Sequence, residues 1–141
     1  MLSWPYIAGF FDGEGCVRIY TRSGKRICAA HARIHITQTG NRGRVLLENM
    51  AEFLSALDIN GVVRRAGVPR RSNHAQAWTL TFDKRESARK FLIYILPHLT
   101  IKKVEAQDVL RYLTMYPKIS RNSAVLSMLL RESHPRNKGR I

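Results

Sequence analysis

Two runs of alternating side chains, separated by a glycine turn, most constrain how this chain can fold. Successive residues of a strand point to opposite faces of a sheet, so alternating apolar and polar residues predict a half-buried strand. The alternating residues are Val17 and Ile19 against Arg18, Tyr20 and Arg22 in the first run, and Ala30, Ala32, Ile34 and Ile36 against His31, Arg33, His35 and Thr37 in the second. Paired across Ser23-Gly24-Lys25, the runs form a hairpin with one aliphatic and one basic face.

The rest of the chain predicts helices around a second hairpin. Ser3 can cap an N-terminal helix that has Pro5 in its first turn. The later elements are a helix over 41–57, strands over 62–66 and 75–82, and helices over 87–96, 103–115 and 120–131. The apolar stripe of the 41–57 helix is Val45, Leu46, Met50, Phe53, Leu54 and Leu57. This order predicts an α+β domain in which helices cover one face of a four-stranded antiparallel sheet.

The chain is strongly basic, yet apolar enough to fold. Its 141 residues include 24 Lys and Arg against 10 Asp and Glu, a net charge of +14, and 45% are hydrophobic. This composition excludes a disordered polycation, and the apolar runs at 91–96 and 124–130 are too short or interrupted to span a bilayer. Cys16 and Cys28 cannot build a disulfide scaffold, and residues 1–5 lack the pattern of a signal peptide. We expect a soluble intracellular domain, in the cytoplasm or an organelle matrix, whose partner is nucleic acid and not a membrane.

Residues 7–15 break the ordinary rules for a helix. Gly9 lies inside the helix, where glycine costs about 1 kcal/mol relative to alanine, and Gly13 falls on the same face one turn later. Two glycines on one face let another backbone approach closely. Glu14 stands at the C-terminal end, where the helix dipole repels anions, so its carboxylate gains from a cation. A divalent metal on this carboxylate and a helix-end carbonyl would supply one, whereas a surface acid in a glycine-rich turn is the simpler interpretation of Glu14 alone.

The same segment resembles the motif of the LAGLIDADG homing endonucleases. The matching residues are Ala8, Gly9, Asp12 and Gly15, and the substituted ones are Ile7, Phe10, Phe11, Gly13 and Glu14. The ββαββα order that follows is also the family's, so the resemblance extends to about residue 116. It implies an endonuclease domain over 1–116 and leaves 117–141 as a C-terminal helix and basic tail.

The resemblance implies a homodimer, because the motif occurs once and single-motif members of the family pair. The dimer interface would lie on the motif helix, at Tyr6, Gly9, Phe10 and Gly13. Each helix would deliver Glu14 to a scissile phosphate. Mg²⁺ (or Mn²⁺) held by Glu14 and Gly13 would activate water and stabilise the leaving oxygen.

Three further catalytic residues are implied by the resemblance. Gln38 closes the second strand, where the family carries a polar residue that positions the attacking water. Arg42 is the basic residue at the entrance of the next helix. Lys102, with Lys103 as the reserve, follows a Pro-x-Leu stretch and would contact the phosphate or the water. Asp12 would support the helix and turn instead of binding metal.

The basic face of the first hairpin predicts a DNA contact surface. It carries three arginines, two histidines and no acid, whereas a face that is merely solvated needs no cationic bias. A two-stranded ribbon fits the major groove, where arginine reads guanine through two hydrogen bonds. Together with residues of the second hairpin and its loop, the predicted DNA contacts are Arg18, Tyr20, Arg22, His31, Arg33, His35, Thr37, Arg64, Arg70, Arg71 and Thr79. A zinc site is not expected, because His31 and His35 lie too far apart on a strand and the cysteines lack paired spacing.

The function expected from these observations is site-specific, Mg²⁺-dependent cleavage of double-stranded DNA by an intron-encoded homodimer. One chain should measure roughly 35–40 Å, about one helical turn of DNA, so two chains match a target of about two turns. Two alternatives share the fold: an intron RNA maturase and a DNA-binding regulator that does not cleave. Loss of the motif acids would favour the maturase, but Asp12 and Glu14 are present. These acids, together with Gln38 and Lys102, also argue against the regulator.

Overall fold

The computed structural model describes residues 1–23, 28–69, 71 and 73–115, and for 21–23 and 28–30 it describes the backbone alone. In chain order the elements are α1 (Trp4–Glu14), β1 (Gly15–Ser23), β2 (Cys28–Thr39), α2 (Gly40–Ser55), β3 (Val62–Arg65), β4 (Ala77–Thr81), α3 (Arg85–Ile95) and α4 (Lys103–Met115), with a 3₁₀ turn at Leu96–His98. This order confirms the predicted α+β fold class. The helix predicted over 120–131 and the basic tail lie outside the described residues. Of the helices described, none is long and apolar enough to cross a membrane.

The four strands form one antiparallel sheet in the order β1-β2-β4-β3. The long strand β2 pairs with β1 over most of its length and with β4 at its C-terminal end. Because Gly15 at the start of β1 lies opposite Ile36, the last residues of β2 extend past β1 and pair with β4 alone. β3 forms the other edge, with Arg64 opposite Thr79. Both predicted hairpins are therefore present, joined through β2 and β4.

The core lies between the helices and one face of the sheet. Its fully buried aromatic centre is Phe91 of α3, whose ring centroid is 5.6 Å from that of Phe11 and 4.6 Å from that of Phe82. The sheet contributes Val17, Ile34, Ile36 and Leu80, and the helices contribute Ile7, Phe11, Leu47, Met50, Leu54, Leu92, Ile95, Val109 and Tyr112. The buried strand residues are those that the alternation placed on the aliphatic face. The opposite face, with exposed Arg18 and Arg33, is open.

α2 ends two residues before the predicted end. It stops at Ser55, and Asp58 adopts the left-handed backbone conformation (φ 58°) that reverses the chain. The Ile59 N–H then donates to the Leu54 carbonyl at 3.0 Å. This turn satisfies one of the carbonyls that every helix leaves unpaired at its C-terminus.

The buried stripe of α2 differs from the predicted one. Val45 and Leu57, both predicted to be apolar contacts, are 52% and 38% exposed. Leu47, which the prediction omitted, is completely buried. The face that meets the sheet is Gly43, Leu47, Met50 and Leu54, which recur every three or four residues. The predicted stripe is otherwise correct, because Met50 and Leu54 are buried and Leu46 and Phe53 pack against the core.

The other element bounds move by small amounts. β3 ends at Arg65 and β4 begins at Ala77, each one or two residues inside the prediction. α3 starts at Arg85, and Pro97 falls in the 3₁₀ turn after it, where the missing N–H of proline is tolerated. α4 has the predicted bounds.

Candidate active site and nucleic-acid interface

The C-terminal end of α1 presents Glu14 to solvent. The helix ends there because Gly15 turns into the extended backbone of β1, while its N–H still donates to the Phe11 carbonyl. A Cβ at position 15 would collide with the buried Phe11 ring, so the position requires glycine. Glu14 is exposed, and among the described residues no hydrogen bond or ion pair engages its carboxylate. Since the helix dipole repels a carboxylate at this end, Glu14 favours a cation.

Asp12, two residues earlier, is bound by the chain itself. Its Oδ2 accepts the backbone N–H of Thr100 at 2.8 Å, and its Oδ1 accepts those of Ile101 and Lys102 at 3.0 and 2.9 Å. These amides directly precede α4, so Asp12 caps that helix from a distant part of the sequence. A carboxylate with three amide donors is satisfied without a metal. The structural role expected for Asp12 agrees with this geometry.

The segment that Asp12 binds also fixes Lys102. The half-buried Lys102 donates from Nζ to the backbone carbonyl of Asp12, near the C-terminus of α1. A cation here offsets the negative end of the helix dipole. The ammonium group therefore lies on the same helix end that carries Glu14. Lys103, the reserve candidate, is exposed at the first position of α4.

Gln38 lies on the part of β2 that runs on past β1. Two residues earlier, Ile36 lies opposite Gly15, the residue that directly follows α1. The Gln38 Nε2 donates to the Thr37 carbonyl at 2.9 Å. A Cβ at Gly43 would stand 2.7 Å from the Gln38 Cβ, so α2 packs directly against this side chain. That close approach fixes the base of the glutamine.

Arg42 is exposed in the first turn of α2. Among the described residues, no hydrogen bond or ion pair joins it to Glu14, Gln38 or Lys102. The structure therefore brings Lys102 to the end of α1 by direct contact and places Gln38 two residues beyond the strand pair that begins at Gly15. It leaves Arg42 exposed at the rim of this candidate site, without a described contact to the other three residues.

The oxygen donors at the end of α1 suit a hard divalent cation. The Glu14 carboxylate and the Gly13 carbonyl are the kinds of ligand that Mg²⁺ takes. Within the part of the chain that the structure describes, no three His, Cys, Asp or Glu side chains gather around one point. Mg²⁺ commonly binds through one or two carboxylates, waters and substrate phosphates. The donor set fits a metal whose shell is completed by a nucleic-acid phosphate and does not fit a zinc site.

On the open face of the sheet, Tyr20 holds two arginines together. Arg18 and Arg33 lie opposite each other in the β1–β2 register. The Tyr20 hydroxyl accepts a hydrogen bond from Arg18 Nη2 and a second, at 3.5 Å, from Arg33 Nη1. The two guanidinium carbons stand 4.0 and 5.5 Å from the Tyr20 ring centroid, within the range of cation–π attraction. Two like charges are thus held near one another, which suits an anionic or guanine-edge partner.

His35 is half-buried on the same face, opposite Cys16. Burial, followed by the positive charges of Arg33 and Arg18, lowers the pKa of His35 below 6.5. Its Nδ1 is buried and has no hydrogen-bond partner among the described residues. His35 is therefore neutral at pH 7, unlike the arginines beside it.

The second hairpin continues the polar face. Thr37 and Thr79 lie opposite each other, with their Oγ1 atoms 3.0 Å apart. Arg64 makes a two-point ion pair with Asp83, at 2.9 Å for Nη1–Oδ1 and 2.5 Å for Nη2–Oδ2. This pair raises the pKa of Arg64 and lowers the pKa of Asp83. Arg64 can meet a phosphate only in competition with Asp83.

Of the remaining predicted DNA contacts, the structure describes some side chains and leaves others outside its described part. His31 and Arg71 are exposed. The side chain of Arg22 and the whole of Arg70 lie outside the described part of the chain.

One face of α1 is uncovered by the rest of the chain as described. Gly9 and Gly13 are exposed, and a Cβ at either would meet no heavy atom within 4 Å. Tyr6 is 48% exposed, and its ring stacks on that of Phe10 with centroids 6.4 Å apart. The face combines backbone that can be approached closely with exposed aromatic surface, as a helix–helix interface requires.

Two contacts at these sites were missed by the sequence analysis. The partners of Asp12 are backbone amides of residues 100–102, and no residue type marks a backbone amide. The Asp83 partner of Arg64 is set by the β3–β4 register, which places the end of one strand beside the other. A tertiary contact of this kind leaves no local pattern.

Comparison with known families finds a match over the part of the chain that contains the motif at residues 7–15. The profile of a family described as LAGLIDADG-like domain matches residues 5–95, which run from α1 to the end of α3. No curated protein sequence gives a significant match to the chain.

Solved structures of homing endonucleases share the fold. I-CvuI in complex with the I-CreI target and Mg superposes with a TM-score of 0.65 at 20% identity, over 89% of this chain and 74% of that one. I-TnaI gives a TM-score of 0.63 at 22% identity, over 94% and 99%. The LAGLIDADG meganuclease I-AabMI, bound to uncleaved DNA, gives 0.66 at 14% identity, over 93% of this chain but 45% of that one. The arrangement of helices and strands is therefore that of these enzymes.

Proposed function

We propose, because this chain belongs to the LAGLIDADG family, that it is a site-specific endonuclease that cuts both strands of DNA as a homodimer with Mg²⁺. The observation that carries the proposal is the end of α1, where the exposed Glu14 carboxylate and the fixed Lys102 ammonium share one helix terminus directly before β1. Such an enzyme acts inside the cell on its DNA target, and its gene lies within an intron.

Each residue around this helix end has its own role in phosphodiester hydrolysis. Glu14 and the Gly13 carbonyl would hold the metal, which supplies charge neutralisation at the phosphate and a more acidic water. Lys102, anchored on the Asp12 carbonyl, donates to a phosphate oxygen and stabilises the charge that develops there. Gln38 orients the attacking water, and Arg42 binds the phosphate from the rim.

The open face of the sheet binds the DNA grooves. Arg18 and Arg33, steadied by Tyr20, reach base edges, and Arg71 meets phosphates from the β3–β4 loop. Structural neighbours support DNA as the partner: I-CvuI was crystallised with its target in the presence of Ca, and I-GzeII with a DNA target. Both are under 25% identical to this chain, so the DNA sequence that this chain recognises is expected to differ from theirs.

The uncovered face of α1 supports the homodimer. Gly9 and Gly13 allow a second copy of α1 to approach backbone to backbone, with Tyr6 and Phe10 flanking the contact. Coverage supports two copies, because this chain spans 45% of I-AabMI and 43% of I-GzeII but 99% of I-TnaI. Two Glu14 residues then meet the two strands of one target.

The test is selection of a cleavage site from random DNA. A plasmid library that carries about two helical turns of random sequence is incubated with the protein and Mg²⁺, and cut ends are captured and sequenced. We expect a discrete double-strand cut in a narrow set of sequences. On the selected site, Glu14→Gln should lose at least about 100-fold in cleavage rate, in the range seen when one essential group is removed, and should bind at least as tightly because a negative charge leaves the DNA surface.

The matched control is Glu52→Gln, which removes another exposed glutamate, from α2, and should cut normally. Sedimentation should give twice the chain mass of 16.2 kDa. Bound but uncut DNA would instead indicate a regulator, and binding to intron RNA alone would indicate a maturase. Normal cutting by Glu14→Gln would contradict the assignment of the catalytic residue.

A further inference from the structure

A second pair of arginines surrounds Trp78, outside the residues assigned so far. Trp78 is half-buried near the start of β4, where it packs on the core from the helix side of the sheet. The guanidinium carbon of Arg44, from α2, lies 4.5 Å from the Trp78 ring centroid, and that of Arg65, from β3, lies 5.7 Å away. Cation–π attraction to the large indole ring therefore restrains both arginines.

Both arginines keep hydrogen-bond donors available. The Arg44 Nε donates to Glu48 at 2.8 Å, in a pair whose side chains are both 47% exposed. Among the described residues the terminal nitrogens of Arg44 have no hydrogen-bond partner, and the Arg65 guanidinium makes no hydrogen bond or ion pair. Arginine offers five N–H groups in a rigid fork, so each of these side chains can still bind an anion.

Strand register places this pair beside the candidate active site. In the sheet, Trp78 lies directly between Gln38 on β2 and Arg65 on β3. Neighbouring strands are about 4.8 Å apart, so the Gln38 and Arg65 backbones are separated by about 10 Å. α2 starts at the same end of the sheet, with no acidic residue in its first turn and no side chain bonded to its first amides. The helix N-terminus therefore adds positive potential where Arg44 emerges.

We propose that Arg44 and Arg65 anchor a DNA backbone phosphate next to the scissile one, and that Trp78 positions both guanidinium groups for it. The inference rests on the proposed function, because it places the anchor beside Gln38. The pair lies at the end of the sheet and on the same face as Gln38, away from the face on which Arg18 and Arg33 are placed against base edges, so it would meet the sugar-phosphate backbone beside the candidate active site. Phosphate contacts of this kind fix the register of a protein on duplex DNA without reading sequence.

The anchor would align the cut strand along the enzyme. With one phosphate held at Arg44 and Arg65, the neighbouring phosphate is brought toward Gln38 and the end of α1. Loss of the anchor should weaken binding to every sequence alike. It should also lower the salt dependence of binding, because each phosphate contact releases condensed counterions.

The experiment measures binding to a duplex of arbitrary sequence, so it needs neither the natural target nor cleavage. The dissociation constant of a fluorescent duplex of about 30 base pairs is followed by anisotropy over a salt series. We expect Arg44→Gln and Arg65→Gln each to reduce the slope of log K against log salt by about one unit, and the double variant by about two. The matched control, Arg89→Gln, removes the same charge from α3, where Arg89 pairs with Glu86, and should leave the slope unchanged.

The positioning role of Trp78 is tested without any change of charge. Trp78→Leu should weaken duplex binding several-fold, and Trp78→Phe should restore most of it, because an aromatic face is kept. Thermal unfolding of each variant separates loss of fold from loss of binding. Slopes for Arg44→Gln and Arg65→Gln equal to that of Arg89→Gln would overturn the anchor while leaving the endonuclease intact. If the salt slopes fall as expected but the protein cuts no member of the random library, the phosphate anchor would stand and the proposed endonuclease activity would be overturned.

Discussion

The corner where α1 meets α4 and the open face of the sheet are both polar, yet they are held in opposite ways. At the corner, Asp12 and Lys102 bind backbone groups of each other's segment, so the contacts are part of the fold. On the open face, Arg18 and Arg33 are held by the Tyr20 ring and hydroxyl, which belong to another side chain. The first arrangement fixes backbone geometry, and the second leaves the cations able to turn toward a ligand.

In the proposed endonuclease, this difference would separate the groups that act in catalysis from those that recognise DNA. A reacting phosphate must meet Glu14 and Lys102 within narrow limits, because misplaced groups lose most of their catalytic advantage. Base recognition tolerates side-chain adjustment, and restraint by an aromatic ring still lowers the entropy cost of binding. Substitutions of Asp12 or Lys102, whose contacts are part of the fold, should therefore change folding as well as catalysis, whereas substitutions on the open face should change recognition alone.

The largest effect on stability is expected from Asp12→Ala. It leaves the N–H groups of residues 100–102 without their carboxylate and uncaps α4, so the free energy of unfolding should fall by about 2–3 kcal/mol. Denaturant unfolding measures it, with Glu14→Gln as the control from the same motif. Glu14 is exposed and makes no described contact, so that variant should stay within about 0.5 kcal/mol of the parent. If both variants lost the same free energy of unfolding, the structural role of Asp12 would not be distinguished from that of Glu14.

A smaller effect, confined to recognition, is expected from Arg33→Ala. It should cost about 1–3 kcal/mol of discrimination at one base position per half-site, with little change in stability. Arg71→Ala, in the β3–β4 loop, should weaken all sequences alike. A cleavage profile over single-base variants of the selected site compares the two. If both variants kept every base preference, the strand face would not be the reading surface.

The smallest effect is expected from the pH dependence of stability. Because burial and the neighbouring arginines lower the pKa of His35 in the folded chain, the unfolded chain binds more protons just below pH 6.5. Stability should therefore fall as the pH drops from about 6.5 toward the lowered pKa, and His35→Gln should make this decline shallower. Urea unfolding at about pH 7.5 and about pH 5.5 gives the two slopes. An identical decline in both proteins would contradict the assignment to His35.

Local patterns in the sequence predicted the elements that local physics controls. The Ser3 hydroxyl accepts the Tyr6 N–H at 3.3 Å, as expected of an N-cap, and the alternation in β1 and β2 correctly assigned Val17, Ile34 and Ile36 to the buried face. The N-cap depends on a neighbour three residues away, and the buried face of a strand depends on side chains that alternate with a period of two residues.

What the sequence could not supply depends on contacts between distant segments. The pairing of β2 with β4 decides that Gln38 and Trp78 are neighbours, and neither strand carries a mark of the other. The side of α2 that packs closely on Gln38 at Gly43 also buries Leu47 and leaves Val45 exposed, and no local pattern marks that contact. The roles of Gln38, Arg42 and Lys102 came from the family resemblance and stay predictions, because geometry alone does not test them.

The strand order also bears on how the protein avoids aggregation. β1 and β3 are the outer strands of the sheet, and outer strands offer unpaired backbone groups to which other chains can add. Exposed arginines lie on both of them, Arg18 on one and Arg64 and Arg65 on the other. Charge on an outer strand discourages stacking into aggregates. Replacing these arginines with neutral residues would therefore leave both edge strands free to pair with other chains. The first measurable effect would be a lower yield of soluble protein.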